Sequence, residues 1–199
     1  MKKLRASIVF FKILFFLNLT SHSIANISSN FIDEITGKAN NILSSKDTRE
    51  IKIKELIKIG ESSVDIDGIG FYTLGKHRKI LSDEQKDEFR KIFRDYFLKS
   101  FSSRLVEYKE AKIVVISEDV KNEKYTIVKS KLIATSNRPE ILIDWRVYTK
   151  DPSKPLIRDL IIEGLSLART QREEFNSVIK SAEGDINLLL ENLRKFINS

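Results

Sequence analysis

A serine close to two carboxylates is the segment of this sequence that comes nearest to a catalytic arrangement. Ser166 lies between a β-like run and a helical pattern, with Asp159 and Glu163 just upstream. A serine at such a junction can act as a nucleophile when a histidine is within reach. The second glycine of that motif is absent, and His77 lies far upstream among charged residues. We therefore predict that Ser166 caps the following helix.

Pairs of neighbouring carboxylates are the second candidate for chemistry. Asp159 and Glu163 are close in the chain, as are Asp65 and Asp67. General acid–base catalysis needs two carboxyl groups at a set separation across a cleft, which spacing along the chain does not provide. Because the chain has 28 acidic residues, close pairs arise by chance. We expect Asp159 to pair with a base or to cap a backbone N–H.

Composition excludes thiol chemistry and disfavours a metal site. The sequence contains no cysteine, and therefore no thiolate nucleophile, thiolate metal site or disulfide. Of its two histidines only His77 lies after residue 25, and one histidine does not make a histidine-rich site. Because charged residues surround His77 in the sequence, we predict that it is solvated. No metal or cofactor is expected.

The first 25 residues have the pattern of an export signal. Basic residues without acidic ones precede the apolar run at residues 13–19, and Ser23 and Ala25 are small residues suited to a cleavage site. The apolar stretch is about 14 residues long and Lys12 interrupts it, whereas a membrane-spanning helix needs ~20 residues. We predict cleavage after Ala25, leaving one domain at residues 26–199. Without a cysteine for lipid attachment, the product is expected to be soluble in a bacterial periplasm.

The net charge makes a weak case for nucleic acid as a partner. The chain has 35 Lys and Arg against 28 Asp and Glu, a formal charge of +7. Four of the basic residues lie in the first 25, so residues 26–199 carry 31 − 28 = +3. Basic residues are not interleaved with aromatic ones on one face, as a nucleic-acid surface requires. We expect no nucleic-acid partner.

Apolar periodicity predicts helices at both ends of the domain. Residues 31–43 and 49–59 have helical spacing, whereas glycines leave residues 62–75 ambiguous. The clearest helix follows Ser82, where Ser82 and Gln85 form a capping box, and runs to about Glu107. Its apolar stripe comprises Phe89, Ile92, Phe93, Tyr96, Phe97, Phe101 and Leu105. Two closing helices are predicted at residues 167–180 and 185–197.

The pattern between these helices changes to that of β-strands. The predicted strands are residues 112–117, 124–134, 141–149 and 156–162. Polar segments separate them, beginning with a break at residues 118–123. Tyr125 and Ile127 fall on one parity of the second strand, and Ile143, Trp145 and Val147 share one face of the third. The sequence predicts an α+β fold, a curved antiparallel sheet of about four strands wrapped by N- and C-terminal helices.

The apolar residues of this domain allow two interpretations. Twelve phenylalanines accompany many Ile and Leu, and the long helix presents an aromatic stripe to a sheet face of Ile and Trp. One interpretation is an ordinary packed core. The other is a partly hollow interior, an apolar cavity that holds a ligand. Composition alone does not choose between them.

Several motifs in order resemble one known family. They are residues 64–67, 74–75, 81–85 with Phe89 and Phe93, 158–167 with Arg172 and Phe175, and 180–193. Together they resemble the MlaC family of periplasmic phospholipid-binding proteins, also called toluene-tolerance proteins. The resemblance covers roughly residues 31–196. Two segments depart from it: residues 154–156 lack the family's tryptophan, and residues 68–70 replace a more helix-compatible segment.

The resemblance implies a non-enzymatic phospholipid shuttle. In this family a soluble protein exchanges glycerophospholipid between an outer-membrane lipoprotein–porin complex and an inner-membrane ABC transporter with an MCE-domain subunit. The exchange maintains the lipid asymmetry of the outer membrane. The carrier itself binds no nucleotide or metal, and the phospholipid is its cargo rather than a cofactor.

Such a carrier needs a deep, apolar and uncharged interior. Two acyl chains contain about 30 CH₂ groups, whose exposure to water costs ~24 kcal/mol at ~0.8 kcal/mol each. The head group can stay in water at the mouth. The side chains expected to line the tails are Phe71, Leu74, Phe89, Ile92, Phe93, Tyr96, Phe97, Val115, Ile127, Ile143, Trp145, Val147, Leu165, Leu167 and Phe175.

Other interpretations remain open at the level of sequence. Lys76, Arg78 and Lys79 either meet a head-group phosphate or an acidic partner, or form a solvated basic turn. A small-molecule enzyme on a similar cone-shaped sheet would need Asp159, Glu163 or Ser166 as catalytic groups in the cavity. A periplasmic adaptor would have a solid core.

Overall fold

The structure is a computed structural model that describes residues 26–108 and 112–199. The predicted export signal at residues 1–25 lies outside the described residues. The helices are α1 (Ile27–Ser44), α2 (Arg49–Ser63), α3 (Ile66–Thr73), α4 (Asp83–Leu105), α5 (Leu167–Ser181) and α6 (Asn187–Asn198). The strands are β1 (Ile113–Asn122), β2 (Tyr125–Leu132), β3 (Ile141–Tyr148), β4 (Leu156–Ile162) and β5 (Leu165–Ser166). Within the described ranges, no helix is both long enough and apolar enough to cross a membrane.

The long helix α4 begins where the local sequence predicts. The Ser82 hydroxyl accepts a hydrogen bond from the Gln85 backbone N at 3.2 Å, and Gln85 Oε1 accepts one from the Ser82 backbone N at 3.0 Å. This reciprocal pair satisfies two backbone donors that the helix itself cannot satisfy. α4 then runs for 23 residues, or ~35 Å. The capping box predicted from the sequence is confirmed.

The ambiguous segment at residues 62–75 contains the end of α2 and all of α3. Asp65 caps α3 by accepting a hydrogen bond from Gly68 N at 2.9 Å. Gly70 lies inside the helix, where a Cβ would come within 2.7 Å of Phe93 Cδ1 on α4. Glycine is therefore required at residue 70 because α3 and α4 approach each other closely.

The sheet is an antiparallel meander in the order β1-β2-β3-β4-β5. Its fifth strand exceeds the expected number and is only two residues long. Glu163 and Gly164 connect β4 to β5, and both have positive φ, 49° and 82°. Two such residues form the type I′ turn that suits a two-residue hairpin. The predicted α+β class and the antiparallel sheet are confirmed.

The break predicted at residues 118–123 is wrong, because β1 continues through it to Asn122. Glu118 pairs with Val128 and Asp119 with Ile127 in the β1–β2 ladder. Glu118 is accommodated in this strand because it accepts hydrogen bonds from the first turn of α1. That long-range contact has no signal in the local sequence.

One hydrophobic cluster joins the sheet to the helices. α1, α3 and α5 contact the sheet, while α4 packs mainly against α2, α3 and α6. The inward sheet face carries Val128, Ile143, Trp145, Val147 and Ile157, all of which are buried. The candidate residues on α4, together with Phe175 on α5, reach the same cluster from the helical side.

Candidate functional site

Phe93 is the centre of the aromatic cluster on the helical side. Its ring stacks on Phe89 with the centroids 5.4 Å apart, and it meets Phe175 edge-on at 6.1 Å. Phe97 and Tyr96 lie 6.2 and 6.1 Å from it. Helical spacing places Phe89, Phe93 and Phe97 on one face of α4. The predicted aromatic stripe therefore exists as a set of touching rings, but α4 packs mainly on other helices, so the prediction that the stripe packs directly on the sheet is wrong.

Tyr96 connects this cluster to α5 and α6. Its hydroxyl donates to Gln171 Oε1 at 2.9 Å, and its ring centroid lies 5.1 Å from that of Phe196. Burial raises the pKa of Tyr96, and the neighbouring Glu174 raises it further. Tyr96 is therefore a neutral hydrogen-bond donor at the border between the apolar cluster and water.

The sheet side of the cluster contains a hydrogen-bonded polar pair. Trp145 Nε1 donates to the Ser130 hydroxyl at 2.8 Å, and that hydroxyl donates to the Ile143 carbonyl at 3.0 Å. Both side chains are buried. Because each polar group has a hydrogen-bond partner within the sheet, neither is left unsatisfied at the apolar surface. Sequence reasoning missed Ser130, although its alternation with Lys129 and Lys131 indicates the inward face.

The candidate tail-binding residues differ in how deeply they lie. Eight are buried, five are half-buried at the margin of the cluster, and two are exposed. The buried ones are Leu74, Phe89, Phe93, Ile127, Ile143, Trp145, Val147 and Phe175, and the half-buried ones are Phe71, Ile92, Tyr96, Phe97 and Val115. Most of them belong to one cluster and contact one another in this structure. The cavity that they are expected to line remains a prediction.

Ile127 lies on the opposite sheet face from the other strand residues of this set. It pairs with Arg146 on β3, whereas Val128 pairs with Trp145. Since side chains alternate along a strand, Val128 faces the cluster and Ile127 does not. The prediction that Ile127 lines the acyl tails on the same sheet face as Trp145 is therefore wrong. The parity is difficult to read because Thr126 and Ser130 are polar residues on the inward face.

Leu165 and Leu167 lie at the margin of the molecule beside β5 and the start of α5. They are 59% and 42% exposed. Leu165 pairs with Ile162 across the Glu163–Gly164 turn. Two exposed leucines next to the cluster would be at the mouth of a cavity rather than in its wall.

A groove of about 520 Å³ lies elsewhere, between α2 and α4. Its apolar lining residues are Ile53, Ile57 and Leu98, and its charged ones are Arg49, Glu61, Asp95 and Lys99. Charged walls do not suit acyl tails, because a charge facing hydrocarbon loses its hydration. This groove does not coincide with the candidate residues.

Ser166 and Asp159 form a structural cap. The Ser166 hydroxyl accepts from Arg169 N at 3.1 Å and donates to Asp159 Oδ2 at 2.6 Å. Asp159 Oδ1 accepts from Ala168 N at 3.0 Å. Both predictions for these residues are confirmed. Glu163 is exposed and accepts from Leu142 N at 2.5 Å, which anchors the β4–β5 turn.

His77 is buried, at 7% exposure, so the prediction of a solvated histidine is wrong. Its Nε2 lies 3.2 Å from Asn176 Oδ1 on α5. A tight 3₁₀ turn spans His77–Lys79. It directs the His77 side chain inward and leaves the side chains of Arg78 and Lys79 in solvent. Lys76, Arg78 and Lys79 are exposed, as a basic turn requires.

Arg158 is a partly buried cation that sequence reasoning did not single out. It donates to Asp65 Oδ2 at 2.5 Å and to the Tyr125 hydroxyl at 2.7 Å. Its guanidinium lies 3.6 Å from the centre of the Tyr148 ring, a cation–π contact. Burial alone would lower the pKa of Arg158, but these hydrogen bonds outweigh it and raise the pKa. Arg158 thereby fastens the start of α3 to the sheet.

These elements define an α+β protein whose helices cover one face of an antiparallel meander across an apolar, largely uncharged interface. The model of the MlaC protein family matches residues 27–195. The chain belongs to the MlaC family, as the motifs indicate.

One solved structure shares the fold closely. It is a phospholipid-binding protein from Ralstonia solanacearum, determined in complex with a phospholipid at 1.53 Å resolution. The two chains are 16% identical, and the match covers 85% of this chain and 96% of that one with a TM-score of 0.70. At this identity the likeness establishes the fold alone. A comparison with curated proteins gives no match.

Proposed function

We propose that this protein is a soluble periplasmic phospholipid carrier. Its export signal is removed by cleavage after Ala25. The carrier shuttles glycerophospholipid between the outer and inner membranes as part of an Mla-type ABC transport system and so maintains outer-membrane lipid asymmetry. The observation that carries the proposal is the match of residues 27–195 to the MlaC family. The phospholipid complex of the Ralstonia solanacearum protein, which has the same fold, supports it.

The chemistry of the interior suits this function. Apolar side chains from α3, α4, α5 and the inward sheet face meet in one cluster. Two polar groups on the inward sheet face, the Ser130 hydroxyl and the Trp145 nitrogen, already have hydrogen-bond partners. Acyl chains placed beside this pair would not deprive it of hydrogen bonds, and burial of their hydrocarbon is favourable.

Lipid uptake requires the cluster to open, because the candidate residues contact one another in this structure. We propose that the tails enter among the helices, at the margin of the cluster where Phe71, Tyr96 and Phe97 are half-buried. Each aromatic contact that separates is replaced by a contact with an acyl chain. The exposed Leu165 and Leu167 would lie outside the apolar interior.

The proposed partners of the carrier are the two membrane complexes of the system. One is an inner-membrane ABC transporter with an MCE-domain subunit, and the other is an outer-membrane lipoprotein–porin complex. Lys76, Arg78 and Lys79 form the exposed basic turn closest in sequence to Phe71 and Leu74. We propose that this turn meets head-group phosphate or an acidic surface of a partner.

Mass spectrometry of the purified protein tests the cargo. The chain is expressed with residues 1–25, recovered from the periplasm and extracted with organic solvent. We expect glycerophospholipid in a near-stoichiometric amount. The matched control is the protein without residues 1–25, which stays in the cytoplasm and shows whether lipid is acquired in the periplasm. Lipid-free protein that also fails to extract phospholipid from vesicles would contradict the proposal.

A periplasmic adaptor is the second candidate, and one observation favours it. The side chains that would line the cavity are packed together, with Phe89 and Phe93 only 1% and 2% exposed. A solid core of this kind needs no ligand. The same extraction separates the two candidates, because an adaptor would carry no stoichiometric lipid under any condition.

A further inference from the structure

Asn26 is held against the sheet by its backbone nitrogen. That nitrogen donates to Glu118 Oε1 on β1 at 2.9 Å. The second oxygen of the same carboxylate, Oε2, accepts from the backbone N and the hydroxyl of Ser29 at 2.9 and 2.8 Å. Three hydrogen bonds therefore fix Glu118 against the first turn of α1.

Cleavage after Ala25 changes the chemistry of one of these donors. In the uncleaved chain, the nitrogen of Asn26 belongs to a neutral peptide group with a single N–H. In the cleaved chain it is an α-amino group with an ordinary pKa of about 7.7–8.0, so it is a cation with three N–H donors at neutral pH. Its position would be 2.9 Å from a carboxylate oxygen.

We propose that Glu118 is the acceptor for the α-ammonium group that processing creates at Asn26. Removal of residues 1–25 then adds an ion pair that docks α1 onto β1. This inference rests on the cleavage site within the proposed function and is independent of the lipid cargo.

The neighbouring charged groups indicate that Glu118 is the carboxylate that compensates the α-ammonium charge at Asn26. A positive charge at a helix N-terminus is unfavourable, because the helix dipole is positive there, and the first turn of α1 has no acidic residue. The compensating charge must come from another element, which is β1. The nearby Asp119 pairs with Lys121 and Glu34 with Lys38, and Val128 faces Glu118 from β2.

The ionisation state of Glu118 agrees with such a role. Burial alone would raise the pKa of its carboxyl, but the hydrogen bonds from Asn26 and Ser29 together outweigh burial and lower the pKa. The carboxylate is therefore charged at neutral pH. The helix that it holds contributes Ile32 to the core at 0% exposure, so the docking of α1 affects the whole domain.

The test compares two forms of the chain that begins at Asn26, one with a free amine and one acetylated at that amine. Acetylation restores a neutral amide and removes the terminal charge. In urea unfolding at pH 6.5 we expect the free-amine form to have a roughly two- to fivefold smaller unfolding constant, the range of partly exposed ion pairs. In E118Q the free-amine form should lose this advantage and be no more stable than the acetylated form, because its charge then meets only the positive end of the helix dipole.

The pH dependence gives a second readout with a defined sign. A carboxylate neighbour raises the pKa of the ammonium in the folded state. Its stabilisation is then complete below about pH 7.7 and is lost as the pH rises through the folded value. The difference between the free and acetylated forms should therefore vanish by about pH 10. Titration of the Asn26 nitrogen by NMR should give a lower pKa in E118Q.

The matched control is D119N on the same strand, which should keep the difference between the two forms. Equal stability of both forms at pH 6.5, or a greater stability of the free-amine form that persists in E118Q, would overturn the inference. So would an exported protein whose mass places its first residue elsewhere than Asn26. Lipid extraction is a separate measurement, so failure of the cargo proposal would be recognised independently.

Discussion

The ring of Phe93 lies so close to Gly70 that a methyl group on residue 70 would approach Phe93 Cδ1 within 2.7 Å. This contact fixes the separation of α3 and α4 at the centre of the aromatic cluster. Phe93 is 2% exposed and is held by Phe89 and Phe175, so it cannot turn away without displacing other rings.

Gly70→Ala should therefore destabilise the protein. Overpacking of a tight core costs about 1–3 kcal/mol, and the gain in helix propensity returns at most about 1 kcal/mol. Urea unfolding should show a net loss of the free energy of unfolding. The matched control is Gly37→Ala on α1, where a Cβ would meet nothing within 4 Å, and this variant should be neutral or more stable. Equal effects of the two substitutions would contradict the contact.

Trp145 provides a direct test of where the acyl tails lie. It is the single tryptophan of the sequence and faces the cluster from β3. Loading with a phospholipid whose acyl chains carry bromine should quench its fluorescence, because bromine quenches an indole that it contacts. The same lipid without bromine is the control. Lipid that binds without quenching would place the tails away from the inward sheet face.

Adjacent residues on β2 offer a paired substitution for the two faces of the sheet. Val128 is 0% exposed on the inward face, so Val128→Phe should fill space needed by lipid and reduce the lipid bound per protein several-fold, at a stability cost of about 1–3 kcal/mol. Ile127→Phe enlarges the opposite face and should leave lipid content unchanged. Circular dichroism verifies that both variants are folded. Equal lipid content in the two folded variants would argue against an inward-facing site.

Tyr96 should make stability depend on pH in the alkaline range. Burial raises its pKa above the ordinary value of about 10, which means that folding favours the neutral phenol. The stabilisation is fully present below pH 10 and is lost as the pH rises through the higher folded value. Between pH 9 and 12, the midpoint temperature of thermal unfolding should fall more steeply in the parent protein than in Tyr96→Phe. Tyr108→Phe, which alters an exposed tyrosine, should retain the steep fall.

Local signals predicted the elements whose cause is itself local. The capping box of α4 involves Ser82 and Gln85 within one turn, and the cap of α5 at Ser166 is equally local. The alternation around Trp145 identifies a strand with one apolar face. Each of these patterns depends on neighbours in the chain, so the sequence contains the full reason for them.

Features that depend on distant contacts could not be read in the same way. Glu118 remains in a strand because α1 binds it, and His77 is buried because Asn176 on α5 lies opposite. Whether Phe93 is core or cavity wall cannot be inferred from its type, since both roles use the same apolar residues. Only three-dimensional placement showed that Val128, and not Ile127, faces the cluster.

The long outer edge of the sheet has a consequence for solubility at high concentration. β1 is an edge strand, and its ladder with β2 is interrupted between Val115 and Ser117 and again between Val120 and Asn122. Such irregularities, together with the charges of Asp119 and Lys121, spoil the straight hydrogen-bonding template that strands of neighbouring molecules would need for aggregation. The edge of the sheet farthest from β5 is therefore a poor template for fibrous self-association.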